Sequence, residues 1–383
     1  MNELLIRAFA MEPHLRDLRR RLHQCPEVGM HLPQTFAVIE EELTRLGLPF
    51  SRVGRSLCAE LGPETEETVL LRADCDGLGI SEETNLPYRS QKGTMHACGH
   101  DLHAAALLGA AALLKETEAS LSRRVRLLFQ PGEELLEGAK DAVAGGICEG
   151  VSEAYMLHVS VGTGLPTGTV ILPPSGVVAP SADFFSVSVE GKGCHGADPA
   201  SGTDPLTACA RICLTLEHLP AREFPSGARA ALTVGALRSG DSFNVIPHRG
   251  ELRGTLRCFD EDLRRKLRRR VEEICHGIAL AHGVRAELAF PSECPSLLND
   301  EDLRTRSHAL LSAAFPERFF SVEGATGGGS EDFAFISHRV PSLMLALAAG
   351  DSPHPLHHPK VIFDEDCLSY GAAVLATLAS GRG

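Results

Sequence analysis

Apolar residues recur at helical spacing on both sides of Cys25-Pro26-Glu27-Val28-Gly29, which predicts two helices within residues 16–47 separated by a turn. Strand-like and helix-like segments then alternate. Residues 68–73 (TVLLRA) read as a buried strand, the alanine and leucine run 103–115 as a helix, and 124–130 (RVRLLFQ) as another strand. Residues 138–145 read as a short helix and 154–159 (AYMLHV) as a further strand. Such alternation predicts an α/β layer with a mostly parallel sheet, in which ligands bind at the C-terminal ends of the strands.

The order changes from about residue 181. Strands are predicted at 183–189, 229–237, 251–259 and 284–290, with helices at 204–219 and 261–282. This β-α-β-β-α-β order is that of a ferredoxin-like α+β sandwich, inserted into the first domain. After a linker at 291–295 the α/β character returns with a helix at 301–315, the glycine-rich loop Gly327-Gly328-Gly329-Ser330, a strand at 342–348 and a final helix from Asp364 onward, opened by His354-Pro355-Leu356-His357-His358-Pro359. The expected domains are therefore 1–180 with 292–383, and 181–291.

A length of 383 residues suits two domains, and 43% hydrophobic with 23% charged residues suits globular folds. The net charge of -13 argues against a nucleic-acid partner. The one dense basic run, Arg264 to Arg270, reads as a solvated helix face. No apolar run approaches the ~18 residues of a membrane helix, and the first residues carry charges where a secretory signal has its apolar core. A cytoplasmic protein with no membrane partner is expected. Twelve cysteines scattered through so long a chain predict buried free thiols.

Against that background His96-Ala97-Cys98-Gly99-His100-Asp101-Leu102-His103 stands out. Thiolate and imidazole two residues apart, with Gly99 letting the backbone bend, suit a zinc-like ion. Glu133 and Glu134 follow the RVRLLFQ strand, where one carboxylate can bind a cation while its neighbour takes a proton from water; an acidic helix cap is the alternative. His158 ends a strand, a place that equally suits a core histidine. Asp74-Cys75-Asp76 ends the first strand, where acidic groups would orient a ligand histidine, balance metal charge or cap a helix. All of these fall on one predicted sheet edge.

These residues carry a resemblance. The blocks LHQCPEVG, LLRADCDGLGI, GTMHACGHDLHAAALLGAA, LLFQPGEELLEGA, MLHVSVGTGLPTGTV, GKGCHGADPASGTDPL, NVIPHRGELRGTLRCFD, GGSEDFAFI and HHPKVIFDEDCLSYGAAVL, in this order, resemble the M20 metallopeptidase and amidohydrolase family, in its N-acyl amino acid amidohydrolase branch. The resemblance implies two divalent ions (zinc, manganese, cobalt or nickel) held by Cys98, His100, Glu134, His158 and His357, with His358 an open competitor for the last place. It implies Glu133 as general base on a metal-bridging water, Asp76 as its acidic auxiliary, and His195 as the group that polarises the scissile carbonyl. Asn244, Arg257 and Gly329 would bind substrate, Arg257 pairing with a free carboxylate. The inserted module is implied to be a lid and to form a homodimer. A dipeptidase or aminopeptidase of the same family, and a non-catalytic binding member, are the competing readings. The chain departs from the family pattern at His31-Leu32, Cys75 and Gly79, none of them a ligand position, so altered packing or specificity is expected there.

Overall fold

A computed structural model describes residues 3–65, 67–324 and 329–381; Gly327 and Gly328 of the glycine-rich loop lie outside the described residues. The chain divides into two compact units. The first comprises Met1–Val178 with Leu298–Gly327 and Glu331–Gly383, the second Ala179–Leu297 joined by Gly329 and Ser330.

In the first unit an eight-stranded sheet has the spatial order Phe50–Val53, Ser56–Leu61, Arg124–Gln130, Thr68–Asp74, Val151–Ser160, Ser342–Ala348, Val170–Leu172, Phe319–Ser321. Its four central strands, from Arg124–Gln130 to Ser342–Ala348, are mutually parallel, so their C-terminal ends share one edge. Parallel strands are covered on both faces, and Thr68–Asp74 is accordingly buried at all seven positions. The hairpin Phe50–Val53/Ser56–Leu61 extends the sheet antiparallel. The sequence reading missed that hairpin, because its first strand is mostly exposed and lacks an apolar face.

The alanine and leucine run forms the helix His100–Glu116, buried from His100 to Leu114. It starts three residues earlier than its apolar pattern suggests. Small residues let it approach its neighbours closely: a Cβ on Gly109 would lie 2.8 Å from both the Ala372 Cβ and a Leu15 methyl. The N-terminal helices are Glu3–Ala10, not foreseen, then Glu12–His23 and Pro33–Arg45. The last helix is Cys367–Ser380 and does not begin at Asp364. His354–Pro359 therefore does not open a helix; it lies in the loop after Ser342–Ala348, where His357 adopts a left-handed backbone with φ 65°.

The second unit is a four-stranded antiparallel sheet in the order Ala230–Ser239, Arg249–Cys258, Ser181–Glu190, Arg285–Cys294, packed on the helices Pro205–Glu223 and Glu261–His282. This is the ferredoxin-like order. Its last strand runs through the segment expected to be a linker, and a register shift between Ala289 and Ser292 accommodates Pro291, which has no N–H to give the ladder. The basic run is only partly solvated. Arg264 turns inward and its guanidinium donates two 2.8 Å hydrogen bonds to the buried Asp183 carboxylate, because a helix paired with a sheet buries one face whatever its charge. All twelve cysteines are free.

Removing Arg264 leaves the buried Asp183 carboxylate with Arg268 alone, at 3.0 Å, in place of two guanidinium partners. Arg264→Ala should lower unfolding stability by about 3 kcal/mol, and Asp183→Asn combined with Arg264→Met should recover part of that loss. Urea unfolding of the full chain checks this, and equal stability of wild type and Arg264→Ala would refute it.

Candidate metal centre

The four parallel strands deliver their following loops to one edge, and the candidate residues gather there. Asp76, just beyond Thr68–Asp74, does two jobs. Its carboxylate accepts the backbone N–H groups of Glu133 (3.1 Å) and Glu134 (3.2 Å), and its carbonyl oxygen lies 2.9 Å from His100 Nδ1. A carbonyl can only accept, so Nδ1 holds the proton and Nε2 keeps its lone pair toward the cluster. His158 is oriented alike, its Nδ1 donating to the Val159 carbonyl at 2.7 Å. Its Nε2 lies 3.5 Å from Cys98 Sγ.

Among the described residues five triads of possible ligand atoms lie within 4.8 Å mutually, and two of them contain Cys98: Cys98, His100 and His158; and Cys98, Glu134 and His357. They share the Cys98 sulfur. A tetrahedral ion with bonds of about 2.0–2.3 Å has ligand-to-ligand edges of about 3.3–3.8 Å, and the 3.5 Å from Cys98 Sγ to His158 Nε2 falls in that range. His357 Nε2 lies 3.4 Å from Glu134 Oε1, and the His357 N–H bonds the Ala97 carbonyl at 2.9 Å. His358 instead stacks on His354 at 4.2 Å, and its Nδ1 accepts the Lys360 N–H. The geometry thus brings His357, rather than His358, to Cys98 and Glu134.

The electrostatics ask for a cation. Burial pushes the Cys98 thiol up, but the rings of His158 and His100 overcome it and hold the group well below its ordinary range. Burial lowers His158, yet Cys98 raises it to about 9. Glu134 is pushed up to about 7 by burial and by Cys98. Burial first, then Glu331 and Asp332, raise Glu133 well above the usual carboxylate range. Among the described residues, no well-aimed hydrogen bond satisfies the buried His100 Nε2 and Glu134 Oε1, although His357 Nε2 lies 3.4 Å from the latter. Unpaired buried lone pairs are costly, and a divalent ion would satisfy both, so the donor set fits such ions.

Beneath the cluster lies a layer built on Arg72, in which only Asp74 had an expected role from the sequence. The Arg72 guanidinium, fully buried, reaches Asp74 at 2.9 Å, Asp332 at 2.7 Å, Glu331 at 3.0 Å and Gln130 at 3.0 Å. Asp332 also accepts from Gln130 and from the Ala139 N–H, each at 2.8 Å. His103 lies 2.5 Å from Asp74 through Nδ1, and its Nε2 accepts the Val159 N–H at 2.8 Å. Both ring nitrogens of His103 are engaged, so it is no ligand. The signal for this layer was available: an arginine inside an apolar strand needs buried partners.

In the second unit the short strand Cys194–His195 pairs with Val245–Ile246, which places Asn244 beside His195, its carbonyl accepting the Gly196 N–H at 2.7 Å. His195 is exposed, and its Nδ1 accepts the Ala197 N–H, so the proton is on Nε2 and can be donated outward. Arg257 donates to Ser330 Oγ at 2.6 Å, next to Gly329, whose Cα has open space beside it.

The sequence profile of peptidase family M20/M25/M40 matches residues 70–381. The chain is 36% identical over 367 residues to an N-acetyl-L-cysteine deacetylase of Bacillus subtilis (strain 168), spanning 94% of this chain and 85% of that protein. It is 33% identical over 387 residues to the IAA-amino acid hydrolase ILR1-like 2 of Arabidopsis thaliana, spanning 97% and 86%. A solved Bacillus subtilis structure, a dinuclear metal binding peptidase from the M20 family, superposes with a TM-score of 0.81 at 31% identity over 97% of this chain and 98% of that one.

Gly99, between two candidate ligands, has φ 90°, and a Cβ there would lie 2.3 Å from a Val159 methyl and 3.2 Å from Phe363. Gly99→Ala combines left-handed strain with overpacking, so stability should fall by about 2–4 kcal/mol and bound metal should fall with it. Thermal unfolding and elemental analysis of the purified variant check both effects; wild-type values for the two would show that glycine is dispensable.

Proposed function

The chain belongs to peptidase family M20/M25/M40, and from that premise we propose how its residues divide the labour of a metal-dependent amidohydrolase that cleaves N-acyl amino acids to a carboxylic acid and a free amino acid. The observation that carries the reading is the pair of donor triads sharing Cys98, with the buried carboxylate of Glu133 beside them. Cys98, His100, Glu134, His158 and His357 hold two divalent ions, drawn from zinc, manganese, cobalt or nickel, all of which accept mixed sulfur, nitrogen and oxygen donors. Such ions, when bound, polarise a carbonyl and bring the pKa of a water toward ~7.

The protein's own groups do the rest. Glu133 takes the proton of the attacking water and returns it to the leaving amine nitrogen. Asp76 fixes the pair of glutamates through their backbone N–H groups and the His100 ring through its own carbonyl. His195 donates from Nε2 to the carbonyl oxygen as negative charge develops there. Arg257 pairs with the carboxylate of the amino acid half, and Asn244 and Gly329 complete the substrate contacts. Domains 1–180 with 292–383 and 181–291 are assigned the catalytic and lid roles, the latter also forming a homodimer. Twelve free cysteines support a reducing, cytoplasmic setting.

Glu133→Gln should keep wild-type metal content and lose turnover by ~10²–10⁴-fold, as measured by elemental analysis beside hydrolysis of N-acetyl and N-benzoyl amino acids. Retained turnover would end the assignment of Glu133, and faster cleavage of free-amine dipeptides would move the substrate class to peptides. Arg257→Ala should raise KM by ~10–100-fold for acyl amino acids with little change when the carboxylate is amidated. Equal losses for both substrates would contradict that pairing.

A further inference from the structure

Val159 stands at the meeting point of three segments that shape the metal centre. Its carbonyl takes the proton of His158 Nδ1 at 2.7 Å, its N–H is held by His103 Nε2 at 2.8 Å, and its side chain packs where Gly99 has no Cβ, between Cys98 and His100. The position of its peptide therefore sets the aim of one ligand histidine and the space for the Cys98-Gly99-His100 turn.

His103 is what pins that peptide. Its ring lies 4.7 Å from that of His158 and 5.3 Å from that of His100, centroid to centroid. The carboxylate of Asp74 engages Nδ1 at 2.5 Å and, being held by Arg72 at 2.9 Å, cannot turn away. With the proton on Nδ1, the Nε2 lone pair is free to accept from Val159. The imidazole thus bridges the strand Thr68–Asp74, the helix His100–Glu116 and the strand Val151–Ser160 at the level where the ligands leave them.

We propose that His103, aligned by Asp74, is a positioning residue that presents His158 to one of the two ions by holding the Val159 N–H. This rests on the dinuclear reading of the site. The ion bounded by Cys98, His100 and His158 has His158 itself as a donor; the one bounded by Cys98, Glu134 and His357 shares only Cys98 with it, so its dependence on the bridge is the weaker.

The two ends of the imidazole can be tested separately. In His103→Asn the amide can still donate to Asp74 but falls short of Val159. In His103→Gln the amide oxygen reaches the place of Nε2 and can accept the Val159 N–H. Metal-stripped full-length protein is titrated with cobalt(II), following the visible ligand-field bands and the thiolate-to-cobalt charge transfer from Cys98, with thermal unfolding in parallel. Wild type should take up two ions per chain. His103→Asn should weaken one equivalent by ~10–100-fold and spare the other. His103→Gln should lie nearer wild type. Two unchanged equivalents in His103→Asn, or equal weakening of both in step with lost thermal stability in the two variants, would overturn the proposal and leave the dinuclear reading intact. A wild-type chain that binds no cobalt, or binds it without the sulfur band, would overturn the dinuclear reading and this inference with it.

Discussion

The buried guanidinium of Arg72 is the constraint on which the first unit depends. A charge taken out of water costs several kcal/mol unless its partners are close and well aimed. Those partners are Asp74 on its own strand, Gln130 on the neighbouring strand, and Glu331 and Asp332 from about 260 residues later in the chain. Satisfying one side chain thus ties the two halves of the first unit together directly beneath the candidate metal centre. From Asp74 the ties pass to His103 and Val159, and from Asp332 to Gln130 and the Ala139 N–H.

The same cluster leaves a deficit of positive charge. One arginine faces Asp74, Glu331 and Asp332, with Glu133 close above. Burial, only partly offset by Arg72, pushes Asp332 up to about 7, and burial with the neighbouring Glu331 and Asp332 raises Glu133 well above the usual carboxylate range. A region so acidic and so dry favours bound cations, and a cation would satisfy the His100 Nε2 and Glu134 Oε1 atoms buried there. Left-handed backbone also occurs at this place. Gly99 and His357, one between two donors and the other a donor itself, both have left-handed φ, a conformation tolerated where the surroundings over-determine it.

Much of this was legible along the chain. The period of apolar positions located the central strands and the main helices, since a parallel sheet covered on both faces demands continuous apolar runs. The candidate residues were visible because Glu133, Glu134 and His158 lie at or just beyond strand C-termini, where a parallel sheet gathers its loops, and Cys98 and His100 stand at the start of the helix His100–Glu116. Where the reading strayed, the cause was a local pattern overruled by packing. Arg264 looked like a solvent residue and became half of a buried pair, Pro291 looked like a linker and sits in a bulged strand, and His357 looked like a helix start and occupies a turn.

Sequence alone determined the α/β class and the β-α-β-β-α-β order of the second unit, because these follow from periodicities of 2 and 3.6, whereas the expected set of metal donors came from the resemblance. Only the tertiary structure brought His357, and not His358, beside Cys98 and Glu134, engaged both ring nitrogens of His103 three residues after His100, and revealed the Arg72 network. Such distinctions depend on which ring nitrogen finds a carbonyl, a carboxylate or nothing at all, and those partners are tens to hundreds of residues away in the chain.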